Sequence, residues 1–400
     1  MITLPKPVRG VLETLEAAGH AAYLVGGPVR DLCLGKTPQD WDIATAALPE
    51  TVQSLFPKTI PTGLVHGTVT VLTEGLPIEV TTFRRDGAYQ NHRRPEQVNF
   101  VTDLHADLSR RDFTINAMAL DLPGQLIDPF GGQADLYAKR IRCVGNPTTR
   151  FDEDALRMFR TFRFSAQLDF QIDPITLAAI RSQSHLANSL SAERVRDELE
   201  KILLSPRPET LADVLDYGLL TSYIIPTPAA RAHLAHLDQL SSQTHLCWAA
   251  FGAILLKSGA IDNPEDFLRS LRLDTKTVHI AGQAALLSLD LPCHPVTLKQ
   301  LLARQGKETL TLAAQVAALF GSPRPDETLE AIFTSGDCYC LPMLALTGAD
   351  LMAAGYPPGP ALGELLGQLL SHVFQHPSEN EQDTLLRLAR QFHDLNPPLL

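Results

Sequence analysis

Two different spacings of apolar residues divide the chain into two parts. Up to about residue 140, short apolar runs such as "AAYLVGG" (21–27) and "LPIEVTTF" (76–83) alternate with turns, which is typical of strands. From Phe151 onward, apolar residues recur every three or four positions, as in "AERVRDELEKILL" (192–204), which predicts amphipathic helices. The pattern therefore predicts an α/β head followed by an all-helical remainder.

Clusters of proline and glycine indicate where these two parts divide further. They occur at "GNP" (145–147), "SPRP" (205–208) and "LPCHP" (291–295), and such clusters end helices and strands. We therefore expect four segments, with bounds at residues 1–142, 143–205, 206–295 and 296–400.

The composition is that of an ordinary globular protein, because 44% of the 400 residues are apolar and 20% are charged. No run of about 18 apolar residues occurs, and the N-terminus lacks the zones of a signal peptide. We therefore expect a cytoplasmic protein without a membrane partner. The six cysteines form no C-x-x-C pair, which argues against a zinc site or a disulfide framework.

The net charge of −11 disfavours a polyanionic partner on average, but the basic residues are clustered. Arginines occur in pairs at residues 84–85, 93–94 and 110–111 and repeatedly between residues 157 and 163. Any contact with nucleic acid is therefore expected to be a local patch with a strong dependence on salt.

The stretch "DWDIAT" places Asp40 and Asp42 one residue apart in a strand-like run. Side chains at i and i+2 of a strand point to the same face, so the two carboxylates would repel each other. A divalent cation between them relieves that repulsion, and Mg²⁺ prefers one or two carboxylates plus water and phosphate oxygens. The alternative is a surface strand with one solvated aspartate and one helix cap.

A glycine turn precedes this carboxylate pair, in "LVGGPVRDLCLG" (24–35). Gly26 and Gly27 allow a ligand to approach the backbone, and Pro28 suits the first turn of a helix, whose free N–H groups favour phosphate. The turn is neither a Walker A loop nor a G-x-G-x-x-G motif. Strand, glycine turn, helix and then paired aspartates predict a nucleotidyltransferase site, with Gly27 and Arg30 at the triphosphate.

Five motifs resemble those of the class II tRNA nucleotidyltransferases and bacterial poly(A) polymerases, in the family's order. They are "LVGGPVRDLCLGKTPQDWDIAT" (24–45), "DLSRRDFTINAMAL" (107–120), "DPFGGQADLYAKRIR" (128–142), "EDALRMFRTFRFSAQL" (153–168) and "ERVRDELEKIL" (193–203). The resemblance implies the form without an HD domain: a nucleotidyltransferase head with a small mixed sheet, then a helical neck, body and tail. It also implies Mg²⁺ at Asp40 and Asp42, with tRNA, CTP and ATP as partners of a monomer or homodimer.

Asp154 and Arg157 are spaced i, i+3, so the sequence predicts that they share one helical face. A carboxylate only accepts hydrogen bonds and a guanidinium only donates them. Cytosine and adenine each offer an amino donor beside a ring-nitrogen acceptor, which matches this pair, whereas uracil and guanine present the reverse pattern. The pair therefore predicts that the protein itself selects C and A. The alternative is a surface ion pair that contributes little to the free energy of unfolding.

The resemblance assigns further roles within the same motifs. It implies that Arg111 contacts phosphates or ribose, and that Asp112 and Asn116 help to recognise the sugar. It implies that Arg160 and Arg163 hold phosphates or support the base-reading pair. Glu79, on a neighbouring predicted strand, is a candidate third carboxylate for the metal site.

The resemblance predicts a CCA-adding enzyme, and two alternatives stay open. The first is an enzyme that adds only A, to tRNA or to general RNA ends, because related CCA-adding enzymes often carry an acidic residue where this chain has Asn91. The second is an inactive RNA-binding scaffold, which the retained pair Asp40 and Asp42 argues against.

Overall fold

The structure is a computed structural model that describes residues 4–87, 89–90, 94–95, 98–321 and 325–395. The chain divides into two units between Ser222 and Tyr223. The finer division into four segments stays a prediction, and Asn91 lies outside the described residues.

Thirteen strands are described, all of them in the first unit. They are β1 Ala22–Val25, β2 Asp42–Thr45, β3 Thr59–Gly63, β4 Thr68–Thr73, β5 Leu76–Thr82, β6 Arg84–Asp86, β7 Tyr89–Gln90, β8 Arg94–Pro95, β9 Val98–Phe100, β10 Ala119–Leu120, β11 Leu126–Ile127, β12 Arg140–Ile141 and β13 Gln171–Ile172.

Helices accompany these strands and then continue alone. In the first unit they are α1 Lys6–Ala17, α2 Gly27–Cys33, α3 Pro49–Leu55, α4 Leu104–Ser109, α5 Gly132–Tyr137, α6 Pro147–Glu153, α7 Leu156–Leu168, α8 Pro174–Gln183, α9 Ala192–Leu203 and α10 Leu211–Asp216. In the second unit they are α11 Pro228–Leu234, α12 Thr244–Lys257, α13 Pro264–Ser270, α14 Thr275–Ser288, α15 Pro295–Ala318, α16 Asp326–Ser335, α17 Gly348–Ala353, α18 Pro360–Gln375 and α19 Gln382–Leu395.

Seven strands form one mixed sheet in the order β11-β10-β1-β2-β5-β4-β3. The β2–β5 pair is parallel and the other pairs are antiparallel. Alternation fixes the faces of the strands, because Ile78 and Val80 of β5 are buried while Glu79 between them points to the opposite face. This sheet, followed by helices, confirms the predicted fold class.

Local signals account for several helix starts that lie near the sheet. Proline occupies the first turn of α2, α3, α6 and α8, where its missing N–H costs nothing. Asn146 caps α6 by accepting from the Thr148 N–H, and Asp173 caps α8 by accepting from the N–H groups of Ile175 and Thr176. These caps fix the starts of α6 and α8, which pack against each other.

The second unit is helical throughout its described residues. Helix α12 is apolar on nearly every side, and its Trp248 and Phe251 are fully buried in the core of this unit. Helix α15 is interrupted at Gly306, where φ is +82°, so it consists of two helical stretches. Among the described residues, no helix combines the length and the apolar composition needed to cross a membrane.

Candidate active site

The first unit contains a charged cavity of about 630 Å³, a volume in the range of small-molecule sites. Eight arginines contribute to its wall: Arg30, Arg84, Arg110, Arg111, Arg157, Arg160, Arg163 and Arg194. The cavity lining includes nine residues predicted for catalysis or nucleotide binding, namely Gly27, Arg30, Asp40, Asp42, Arg111, Asp154, Arg157, Arg160 and Arg163, together with the further candidates Glu79, Asp112 and Asn116. Polar groups from distant parts of the sequence therefore converge on one space.

The paired aspartates reach this cavity from different local structures. Strand β2 begins at Asp42, whereas Asp40 lies in the bend that precedes it, so the two do not form an i, i+2 pair within a strand. Asp42 is in register with Glu79 of the parallel neighbour β5, where the Glu79 N–H donates to the Trp41 carbonyl at 2.8 Å. The third candidate carboxylate therefore lies directly beside Asp42, and Glu79 also lines the cavity.

The electrostatic surroundings of Asp42 disfavour an unaccompanied negative charge. Burial first, and then the charges of Glu79 and Asp40, raise the pKa of Asp42 to about 6, while Arg111 opposes the shift. Among the described residues, no group of three or more His, Cys, Asp and Glu side chains stands in position to hold a metal. The predicted pair of carboxylates, Asp40 and Asp42, suits an ion that takes its remaining ligands from water and phosphate.

Gly26 is the point at which the backbone of the glycine turn comes close to Asp42 and Arg111. Its φ of +77° and ψ of −138° are open to glycine alone at low cost. A Cβ built there would lie 3.0 Å from Arg111 Nη1 and 3.5 Å from Asp42 Oδ2. At Gly27 a Cβ would make only an ordinary contact, 3.7 Å from Arg30 Nη2. Gly26 is therefore the more constrained of the two glycines.

A buried carboxylate orients the arginine pair of the second motif. Asp107 is 1% exposed and accepts from Arg110 Nη2 at 2.8 Å and from Arg111 Nη2 at 3.2 Å. Burial alone would raise the pKa of Asp107, but the two guanidinium groups outweigh it and lower the pKa. Asp107 thus holds Arg111 against the cavity wall, close to Asp42.

A polar chain connects the helix after the glycine turn with α7. Arg30 Nη1 donates to Asn116 Oδ1 at 2.9 Å, and Asn116 Nδ2 donates to Asp112 Oδ1 at 3.3 Å. Arg160 Nε donates to Asp112 Oδ2 at 2.8 Å. Burial would raise the pKa of Asp112, but Arg160 outweighs it and lowers the pKa to about 2. The chain therefore fixes Arg30 and Arg160 relative to each other.

The prediction that Asp154 and Arg157 share one helical face is wrong in its local geometry. Helix α6 ends at Glu153 and α7 begins at Leu156, so Asp154 lies in the break between them with φ −143° and ψ 102°. Its Oδ1 accepts from the Leu156 N–H at 3.1 Å, since a short carboxylate competes for free backbone donors at a helix start. The side chain still lines the cavity.

Arg157 follows in the first turn of α7, and its side chain is largely buried. It donates to Glu153 at 2.6 Å and to the carbonyl oxygens of Arg150 and Arg110 at 3.0 and 2.9 Å. These contacts fix the guanidinium at the wall of the cavity that Asp154 also lines.

Arg163 and Phe164 complete the wall formed by α7. The Arg163 guanidinium carbon lies 4.0 Å from the centre of the Phe164 ring, a cation–π distance. Arg30 and Arg160 approach the same ring at 5.3 and 5.4 Å. Arg163 Nε also lies 2.6 Å from Glu198 Oε2 of α9. Three of the arginines that line the cavity therefore lie around one aromatic ring.

Four residues that shape this site were not predicted to do so. Asp107 precedes two arginines at i+3 and i+4, a spacing that could have indicated its role. Arg194 and Glu198 look like ordinary charges on an amphipathic helix, and Phe164 looks like a core residue. Their roles depend on tertiary contacts that leave no local pattern.

A mixed sheet with adjacent carboxylates, a glycine turn and an arginine-lined cavity define a nucleotidyltransferase head. A family model described as "Poly A polymerase head domain" matches residues 22–142, and one for domain 2 of tRNA nucleotidyltransferases matches residues 239–389. The chain is 39% identical over 390 residues to a CCA-adding enzyme of Levilactobacillus brevis, covering 94% of this chain and 96% of that protein. It therefore belongs to the family of CCA-adding enzymes.

Further relatives agree with this assignment. A CCA-adding enzyme of Geobacillus kaustophilus is 40% identical over 388 residues, which cover 94% of each protein. Among solved structures, the Bacillus stearothermophilus CCA-adding enzyme in complex with CTP is 35% identical, with a TM-score of 0.82 over 98% of this chain and 100% of that one. Nucleotidyltransferases of this kind generally use divalent metal ions.

We expect Gly26→Ala to lower kcat/KM for nucleotide transfer by about 100-fold, because the new methyl group displaces Arg111 or Asp42 in addition to straining the backbone by roughly 1–3 kcal/mol. Steady-state kinetics and thermal unfolding measure the two effects separately. Gly35→Ala is the matched control, since Gly35 also has a positive φ (+70°) but open space around its Cβ position. Equal activity losses in the two variants would contradict a steric role for Gly26.

Proposed function

We propose that this protein adds C, C and A to the 3′ end of tRNA, taking nucleotides from CTP and ATP, releasing pyrophosphate and using no nucleic-acid template. The observation that carries the proposal is the cavity whose lining includes both carboxylates, eight arginines and the residue Asp154. The full-length similarity to CCA-adding enzymes supports the same activity.

The partners follow from the same family. Related CCA-adding enzymes have been captured with CTP, with ATP and with a tRNA that carries CCA. We propose tRNA, CTP and ATP as the partners of this chain, which acts in the cytoplasm as a monomer or homodimer. The arginine-lined cavity supplies the local positive charge that such anions need in a chain of net charge −11.

Asp40 and Asp42 would hold Mg²⁺, and their donor set of two carboxylates fits that ion. When bound, Mg²⁺ supplies Lewis acidity at the α-phosphate and for the attacking 3′-hydroxyl group of the tRNA. Glu79, in register with Asp42 on the neighbouring strand, is a candidate third oxygen ligand for the same ion.

The remaining residues bind and orient the substrates. Arg30 and Arg111 donate to the triphosphate across the glycine turn, and the polar chain through Asn116 and Asp112 keeps Arg30 in place. Fixed guanidinium groups in a partly buried site stabilise the charge that develops on the leaving pyrophosphate. Positioning and electrostatics are most of what a phosphoryl-transfer enzyme provides.

Base selection uses the opposite hydrogen-bonding character of Asp154 and Arg157. Asp154 accepts from the exocyclic amino group of cytosine or adenine, and Arg157 donates to the adjacent ring nitrogen. Uracil and guanine would place a carbonyl against the carboxylate and an N–H against the guanidinium. Leaving such polar groups unpaired in a partly buried site is costly, so both bases are rejected.

Incubation with Mg²⁺, single nucleoside triphosphates and tRNAs that lack CCA, CA or A tests the proposal. We expect two CMP additions followed by one AMP, read as stepwise elongation on a sequencing gel. Incorporation of AMP alone would identify an A-adding or poly(A)-forming enzyme instead. No incorporation of any nucleotide would identify an inactive scaffold.

We expect Asp42→Ala to lower kcat/KM by roughly 10³-fold or more, the factor for losing several kcal/mol of charge stabilisation. The melting temperature should stay the same or rise, because a buried carboxylate that faces Glu79 is removed. Glu50→Gln changes an exposed carboxylate of the same head and serves as the control. Robust transfer by the Asp42 variant would refute the metal assignment.

We expect Asp154→Asn to admit UTP, because an amide can turn its N–H₂ group toward the O4 carbonyl of uracil. The preference for CTP over UTP should fall by about 10- to 100-fold, measured as a ratio of kcat/KM values on tRNA that lacks CCA. Glu193→Gln, an exposed change on α9, should leave the ratio unaltered. An unchanged preference in the Asp154 variant would show that this carboxylate does not read the base.

A further inference from the structure

Helix α9 packs against α7, the helix that begins two residues after Asp154. The buried apolar residues of α9 that form this contact face recur at helical spacing and include Val195, Leu199 and Ile202. Arg194 and Glu198 are spaced i, i+4 and therefore lie on one side of the helix, next to that face. Helix α9 thus places one cationic side chain, Arg194, and one anionic side chain, Glu198, beside residues of the cavity wall.

Arg194 fixes the Asp154 side chain. Its Nη2 donates to both carboxylate oxygens, at 2.8 and 3.1 Å. Asp154 lies outside regular helix, and its side chain accepts from this guanidinium and from the Leu156 N–H. The direction in which the carboxylate offers its remaining acceptor position to the cavity therefore depends on Arg194.

Glu198 makes the reverse contact one turn further along α9. It is 4% exposed and its Oε2 lies 2.6 Å from Nε of Arg163, which α7 carries. This separation makes the pair a close ionic contact between two largely buried groups. The attraction is strong because both groups are withdrawn from water.

The two ion pairs have opposite polarity, and this fixes the register of the helices. In one pair α9 supplies the cation, and in the other it supplies the anion. A shift of α9 by one turn would bring Arg194 toward Arg163, which is a repulsive contact. The two ion pairs therefore favour a single register of α9 along α7 and the Asp154 segment before it.

The second terminal nitrogen of the Arg194 guanidinium group makes no hydrogen bond to Asp154. This atom, Nη1, is buried and has no hydrogen-bond partner in the described part of the chain, although the residue lines the cavity. Asp154 accepts twice at Oδ1, from Arg194 and from the Leu156 N–H, and once at Oδ2, so one acceptor position at Oδ2 remains for a base.

We propose that Arg194 is a positioning residue for nucleotide selection, which acts by orienting the Asp154 carboxylate, with Glu198 and Arg163 fixing the helix that carries it. The inference rests on the proposed function. Without Arg194 the carboxylate can rotate away from the amino group of the base. Discrimination then falls, while the reacting groups at Asp40 and Asp42 are untouched.

The test compares the variants Arg194→Ala and Arg194→Lys with the control Arg196→Ala. Arg196 lies on the same helix, and its guanidinium group pairs with Asp197. We measure kcat and KM for CTP and UTP on tRNA that lacks CCA, together with melting temperatures. For Arg194→Ala we expect the CTP-over-UTP preference to fall about tenfold, the factor for one hydrogen bond of ordinary net strength, mainly through KM for CTP. Arg194→Lys should recover part of the preference, and Arg196→Ala should match the unmodified protein.

A double variant separates positioning from general stability. If Arg194 acts through Asp154, Asp154→Asn combined with Arg194→Ala will be no less selective than Asp154→Asn alone. Equal losses for all nucleotides with an unchanged preference, or multiplied losses in the double variant, would overturn the inference. If Arg194→Ala does not fold, Arg194→Gln replaces it and is judged by the same ratio. Failure of the unmodified protein to incorporate CTP would instead refute the proposed function.

Discussion

Repulsion between carboxylates on neighbouring strands is the constraint on which the rest of the structure depends. The parallel register of β2 with β5 sets the half-buried Asp42 beside Glu79, whose charge adds to desolvation in raising the pKa of Asp42. A slip of one residue would turn Glu79 to the other face of the sheet. The antiparallel neighbours β1 and β4 hold the two strands in place, so the stability of the sheet sustains an arrangement that is unfavourable by itself.

The arginines around the cavity raise the opposite problem, and buried acids solve it. Asp107 holds Arg110 and Arg111, Asp112 holds Arg160, and Glu198 holds Arg163. Each of these guanidinium groups is thereby held in one orientation. The paired carboxylates also offset part of the positive charge of the cavity wall when no ligand is bound. A chain of net charge −11 can bind a polyanion because its cations are concentrated at one place and are oriented there.

The sequence was informative where chemistry and local spacing coincide. The alternation of apolar residues predicted the sheet, and the five motifs predicted nine residues that the structure brings to one cavity. The helix break at Asp154 was missed because "EDALRMF" has helical periodicity throughout, and the capping preference of an aspartate before a new helix is the weaker signal. Glu79 was named as a candidate beside Asp42, but the parallel register that pairs the two residues depends on strand order, which no local pattern encodes.

The two aspartates of "DWD" differ in how firmly the backbone holds them. Asp42 begins β2 and is tied to its neighbours by the sheet, whereas Asp40 belongs to the bend before the strand. A change in the separation of their carboxylates therefore requires only that this bend adjust, while the sheet stays as it is. The head thus joins one oxygen donor whose backbone belongs to the ladder with a second donor whose backbone lies just outside it.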